Sequence, residues 1–169
     1  MLRRTNAIVL KTFPFGEADL IVTHLTYDFG LINTFAKSPR KIKSRFGSSL
    51  EPLTCSKISF WGKEEARLPR LTQSDIILSF QALRERWECF LKVSEVVELT
   101  ANFLPEHEAN KKIFKLLLNT LKSMENDCNV PLDIILYKIR FLHFIGYAPR
   151  LDGCGRCGKA GFSFYIAHG

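Results

Sequence analysis

The sequence predicts an α+β chain, a small five-stranded β-barrel followed by an α-helical bundle. Three observations carry that expectation. Short β-branched and aromatic runs, broken by turn residues, fill residues 1–70; apolar periodicity changes to the helical spacing beyond Thr72; and the excess positive charge is confined almost wholly to the first segment.

The strands come first. Residues 5–13 form a β-branched and apolar run that stops at Pro14 and the turn Phe15-Gly16-Glu17. Residues 20–27 place Leu20, Val22 and His24 on one face and Ile21, Thr23 and Leu25 on the other. Asp28-Phe29-Gly30 then turns the chain into residues 31–37, so these two runs predict a hairpin. A polar, basic stretch covers residues 38–49. Residues 52–61 read as a fourth strand, ended by Gly62-Lys63, and residues 65–71 as a fifth that Pro69 places on an edge or ends early. Five such strands suit a small closed barrel, with OB-type and SH3-like barrels as the candidates.

At Thr72-Gln73-Ser74-Asp75 the sequence fits a capping box, followed by Ile76, Ile77, Phe80 and Leu83 at helical spacing. Phe90, Val93, Val97, Ala101 and Leu104 form a second stripe closed by Pro105. Ile113, Leu116, Leu117, Leu121 and Met124 form a third, with Glu106 and Glu108 expected as first-turn charges. The fourth starts at Pro131, carries Ile135, Ile139, Leu142 and Ile145, and stops at Gly146 and Pro149. The expected partition is a nucleic-acid-binding barrel over residues 1–73, a helical domain over 74–150 and an incomplete C-x-x-C segment over 151–169. No low-complexity linker separates the first two, which predicts that barrel and bundle touch.

The net charge is +7, and its placement matters more than its size. Residues 1–70 hold 12 Lys/Arg against 6 Asp/Glu, whereas residues 71–150 hold 10 against 10. A basic barrel on a neutral helical unit predicts that the barrel meets a polyanion. The densest cluster is Lys37, Arg40, Lys41, Lys43 and Arg45, with Phe46 interleaved, in the loop after the third strand. Cations beside an aromatic suit a strand whose phosphates are held while its bases stack. A solvated basic loop without function is the plain alternative. Phe13, Phe15, Phe29, Phe35, Phe46, Phe60 and Trp61 are all possible stacking platforms; core packing claims most of them. Phe46 is the first choice for exposure, followed by Phe15 and Phe29 beside turn glycines.

No apolar run approaches the about 20 residues of a membrane helix, and Ala7–Leu10 is too short for a signal peptide, so a cytoplasmic protein is expected. Five cysteines, an odd count, are expected as reduced thiols, with Cys55, Cys89 and Cys128 as small buried hydrophobes. Cys154-Gly155-Arg156-Cys157-Gly158 is half of a zinc knuckle: two thiolates at this spacing take one edge of a tetrahedral site. His168 is the nearest further ligand. There is no Gly-rich phosphate loop with Lys-Ser/Thr, no His-Glu-x-x-His and no nucleophile elbow, so the sequence predicts no enzyme.

In order along the chain, Ala7-Ile-Val-Leu10, Gly16-Glu-Ala-Asp-Leu20, Leu25-Thr26, Gly30, the loop from Ala36 to Gly47, Pro52, and Gly146-Tyr-Ala-Pro-Arg-Leu151 leading into Cys154-x-x-Cys157-Gly158 resemble the RecO family of bacterial recombination mediators. The resemblance spans essentially the whole chain; its specificity lies in the succession of the pieces. It implies an OB-fold that binds single-stranded DNA and anneals complementary strands, with DNA contacts at Lys37, Arg40, Lys41, Lys43 and Arg45. It also implies RecR as partner, an acidic tail of single-strand-binding protein received by the helical domain, and a link to RecA loading in RecF-pathway gap repair. Ser38 departs from the family's pattern, which often has glycine there. Family members also continue with a second cysteine pair and further helices, so the resemblance implies a fragment or truncated product. Two other readings share the same residues: an OB-fold RNA-binding factor, and a protein-interaction scaffold whose positive loop serves solubility.

Overall fold

Ala7-Ile8-Val9-Leu10, in strand β1 (Leu2–Phe15), is buried at every position, not at every second one. Alternate side chains along a strand point to opposite faces, and here both faces are covered. Ala7 and Val9 belong to the barrel interior with Val22, Ile32, Ala36, Phe46, Leu50, Ile58, Phe60 and Leu71. Ile8 and Leu10 face outward into a second core shared with the helices. The computed structural model describes residues 1–40, 44–62, 66–128, 131–148 and 153.

Strands β2 (Asp19–Thr26), β3 (Gly30–Ala36), β4 (Cys55–Trp61) and β5 (Arg70–Leu78) complete a closed barrel in the order β1-β2-β3-β5-β4. β1 is long enough to pair with both β2 and β4, bent by a register shift between Val9 and Lys11. Closure between β3 and β5 is parallel and short, through Phe35 opposite Arg70 and Ala36 opposite Leu71. The segment between β3 and β4 contributes Phe46 and Leu50 to the interior.

The fifth strand corrects the sequence reading. It runs past residue 73 to Leu78, so Thr72–Asp75 caps no helix. The Thr72 hydroxyl donates to the Ser59 carbonyl at 2.9 Å, and Gln73, Ser74 and Asp75 pair with Ser59, Ile58 and Lys57 of β4. A cross-strand ladder that buries Leu71 and Ser74 outweighs a local cap. The first helix is correspondingly short: α1 (Gln81–Glu85) follows Phe80, which is buried and sits at φ 50.

Helices α2 (Trp87–Phe103), α3 (Lys111–Asn126) and α4 (Pro131–Phe144) lie where the three stripes place them, but α4 turns a different face inward: Tyr137 and Phe141 are buried, whereas Ile135 and Ile139 of the expected stripe are exposed. The α3 start differs. Asn110 is its N-cap, accepting from the Ile113 amide at 3.1 Å, whereas Glu106 and Glu108 precede the helix. None of the described helices is long and apolar enough to cross a membrane.

Barrel and bundle share one core, in which Ile8, Leu25, Leu31 and Leu53 pack with Val93, Val96, Ile113, Phe114 and Leu117. The Arg84 guanidinium donates to the Pro52 carbonyl at 3.0 Å and pairs with Glu51 at 2.7 Å, tying α1 to the barrel. At the other side the His107 amide donates to the Leu31 carbonyl at 2.9 Å, and Asn33 Nδ2 donates to Glu106 Oε1 at 2.8 Å. Gly30 lies under this loop at φ 67, where a Cβ would collide with the backbone of Glu108.

The expectation of reduced thiols fails for two cysteines. Cys89 and Cys128 form a disulfide across 39 residues, with Cα atoms 5.4 Å apart. The helical pairing brings together two positions whose neighbours in sequence gave no sign of it. Cys55 behaves as expected: it is buried, and burial pushes its thiol pKa up to about 11.

Candidate nucleic-acid interface

The basic loop leaves β3 at Ala36 and is pinned at its start. The Ser38 amide donates to Asp19 Oδ1 at 2.6 Å and the Arg40 amide to the Ala18 carbonyl at 3.3 Å, so the loop lies against the β1–β2 turn. Ser38 adopts φ 56, a left-handed conformation that glycine takes freely and serine rarely. The side chains of Lys37, Arg40 and Arg45 are exposed. Lys41 and Lys43 lie outside the described residues, as do Cys154, Cys157 and His168.

Phe46 requires a correction. It is 3% exposed and fills the barrel between Leu50, Ile58 and Phe60, so it offers no face to a base. The Arg45 guanidinium covers it, 4.9 Å from the ring centroid. Sequence context marked Phe46 as exposed because its neighbours are charged. The barrel takes it inward because the loop must supply interior side chains beside the short β3–β5 closure.

The other aromatics divide in two. Phe60 is buried, and Phe29 is half-buried, edge-on to Phe60 at 5.5 Å and beneath Arg3. Phe15 is exposed, as expected, and meets Phe35 edge-on at 5.9 Å. Phe13 and Trp61 are also exposed, and the sequence did not rank either highly. An available signal was strand parity: Trp61 follows the buried Phe60 by one residue and must point the other way.

Inside the barrel, His24 is fully buried, with Nδ1 3.4 Å from the Thr34 hydroxyl and Nε2 without a partner. Burial lowers its pKa from 6.5 to about 4, so at neutral pH it is an uncharged core group and gives nothing to anion binding. Among the described residues no group of three or more His, Cys, Asp and Glu could hold a metal ion.

The arrangement therefore presents an exposed, cationic loop braced against the β1–β2 turn, beside exposed aromatic rings on the same barrel. It can hold phosphates and stack bases. Residues 1–80 match the family model described as Recombination protein O N terminal, and residues 90–169 match Recombination protein O C terminal. A protein named DNA repair protein RecO from Thermodesulfovibrio yellowstonii is 53% identical over 153 residues, covering 90% of this chain and 61% of that relative. Proteins of the same name from Dehalococcoides mccartyi and Koribacter versatilis are 37% and 33% identical, over 91% and 94% of this chain. The chain spans 60% to 65% of the length of these relatives. With both family models matched in succession along a barrel followed by helices, the chain belongs to the RecO family.

Proposed function

We propose that this chain is the barrel-and-helix part of a cytoplasmic, nucleoid-associated recombination mediator that binds single-stranded DNA and anneals complementary strands. The observation that carries the reading is the exposed loop cations Lys37, Arg40 and Arg45, held by the Ser38–Asp19 and Arg40–Ala18 hydrogen bonds in the half of the chain that holds the net positive charge. Lys41 and Lys43 belong to the same sequence cluster. We read the closed five-stranded order, with its parallel β3–β5 closure, as an OB-fold. Its role is binding, not covalent chemistry, and it acts with RecR and single-strand-binding protein to favour RecA loading. Family membership supports these partners.

Cys154 and Cys157 are assigned as half of a zinc site, two of its four ligands, on the donor chemistry of a C-x-x-C pair. Zinc content should fall to background in a C154S/C157S chain; equal zinc in both would sink that assignment.

Fluorescence anisotropy of a labelled single-stranded oligonucleotide tests the main reading, with duplex DNA and single-stranded RNA as competitors. Salt-sensitive binding that single-stranded DNA competes best is the expected result. Preference for RNA would move the chain to the RNA-binding reading, and no binding even at low salt would leave an interaction scaffold.

A further inference from the structure

Paired residues on neighbouring strands project to the same face, so the ladder fixes which exposed side chains stand side by side. Leu2 pairs with Trp61, Trp61 with Arg70, Arg70 with Phe35, Phe35 with Ile21, and Ile21 with Phe13. This one register row crosses all five strands on the outside of the barrel. Trp61 is 61% exposed, Phe13 51% and Leu2 50%, Arg70 is exposed beside them, and Phe35 and Ile21 are half-buried. Phe15, 52% exposed, extends the row by its edge-on contact with Phe35.

The row alternates in character: Trp61, a cation, Phe35, an aliphatic group, Phe13. Rings two strands apart are spaced by roughly 10 Å. Cations flank it, with Arg4 two residues from Leu2 on β1 and Lys11 two residues from Phe13. Lys37 follows Ala36, the last residue of β3 and the neighbour of Phe35, so the row leads directly into the basic loop. The nearby Asp19 carboxylate is engaged by the Ser38 amide.

We propose that this row is a base-stacking track for a single-stranded polynucleotide, with Trp61, Phe35 and Phe13 as platforms and Arg70 contacting phosphate between the first two. The proposal rests on the single-strand-binding reading and adds to it the surface that holds the bases. The occupant follows from the mixture of groups. An apolar protein segment laid on the rings would bury the Arg70 charge without a counter-charge, which is costly. A polynucleotide brings a π-face and an anion with each residue, and stacking tolerates any base.

Trp61 reports on the track directly. The protein has two tryptophans, and Trp87→Phe leaves Trp61 as the sole tryptophan, the only emitter under tryptophan-selective excitation. In that background, saturating oligothymidylate should quench the emission. Trp61→Ala should weaken oligothymidylate binding about tenfold, leave binding of an abasic oligonucleotide of equal length unchanged, and be largely rescued by Trp61→Phe. Unaltered emission, or a Trp61→Ala chain that binds both oligonucleotides like its parent, overturns the track while leaving the loop reading intact. Equal weakening on both oligonucleotides also overturns it, since stacking needs a base. A parent chain that binds neither oligonucleotide overturns the track and the reading beneath it together.

Discussion

His24 sits in the barrel interior, where burial holds its pKa at about 4 against an ordinary 6.5. Between those values the unfolded chain binds a proton that the folded barrel refuses. The stability this group contributes is therefore complete above pH 6.5 and is lost progressively as the pH falls, by roughly 3 kcal/mol at pH 4. Urea unfolding at pH 7.5 and pH 5 should show the loss, and His24→Leu should remove most of it; an identical pH slope in the variant would show that other groups carry the effect. The sequence placed His24 on the same face as Val22, and that parity held: both point inward. Parity was also sufficient to expose Trp61 opposite Phe60. It could not place Phe46, which lies in no strand, and its fate depends on the space left in the barrel by residues distant in sequence.

Elements with a strong period were legible, and those decided by long-range pairing were not. The amphipathic stripes located α2, α3 and α4, whereas β5 was read partly as a helix start. Thr72-Gln73-Ser74-Asp75 satisfies a short-range capping rule, but β4 offers the same residues a complete ladder, with the Thr72 hydroxyl on Ser59. The Cys89–Cys128 link joins the start of α2 to the turn just beyond α3, and no local pattern announces it. Closing a loop of 39 residues removes conformational freedom from the unfolded chain, worth about 4 kcal/mol on the chain-entropy account. Reduction, or Cys89→Ala with Cys128→Ala, should lower the thermal midpoint while leaving helical circular dichroism at low temperature intact. Titration of unfolded, unreduced protein should find two fewer free thiols than the reduced chain has, and a full complement of five would refute the link.

On the scale of the whole molecule, the division of labour was legible before the fold was: nearly all the excess charge lies in residues 1–70, and the helical unit is neutral. What the charge map lacked was the joint. Barrel and bundle share a core through Ile8, Leu25 and Leu53, with Arg84 and the Leu31–His107 contact at its edges, so the helices hold the barrel from one side; the described loop cations stay exposed, and the outer row meets α2 only at Phe13, which borders a cavity with Phe90 and Glu98. Each phosphate that the loop neutralises releases condensed counterions, and on single strands the logarithm of affinity then falls with that of salt by about 0.7 per contact. Replacing Arg40, Lys41 and Lys43 with alanine should therefore flatten that slope by up to about 2 and weaken binding at low salt. Thermal unfolding should be unchanged, because Arg40 is exposed and its hydrogen bond to Ala18 uses only the backbone amide. Alanine at Lys115 and Arg140, exposed cations of α3 and α4, should leave the slope as it was. Equal flattening by both sets of changes would mean that the strand follows the net charge of the molecule instead of the loop, and the loop would lose its assigned role.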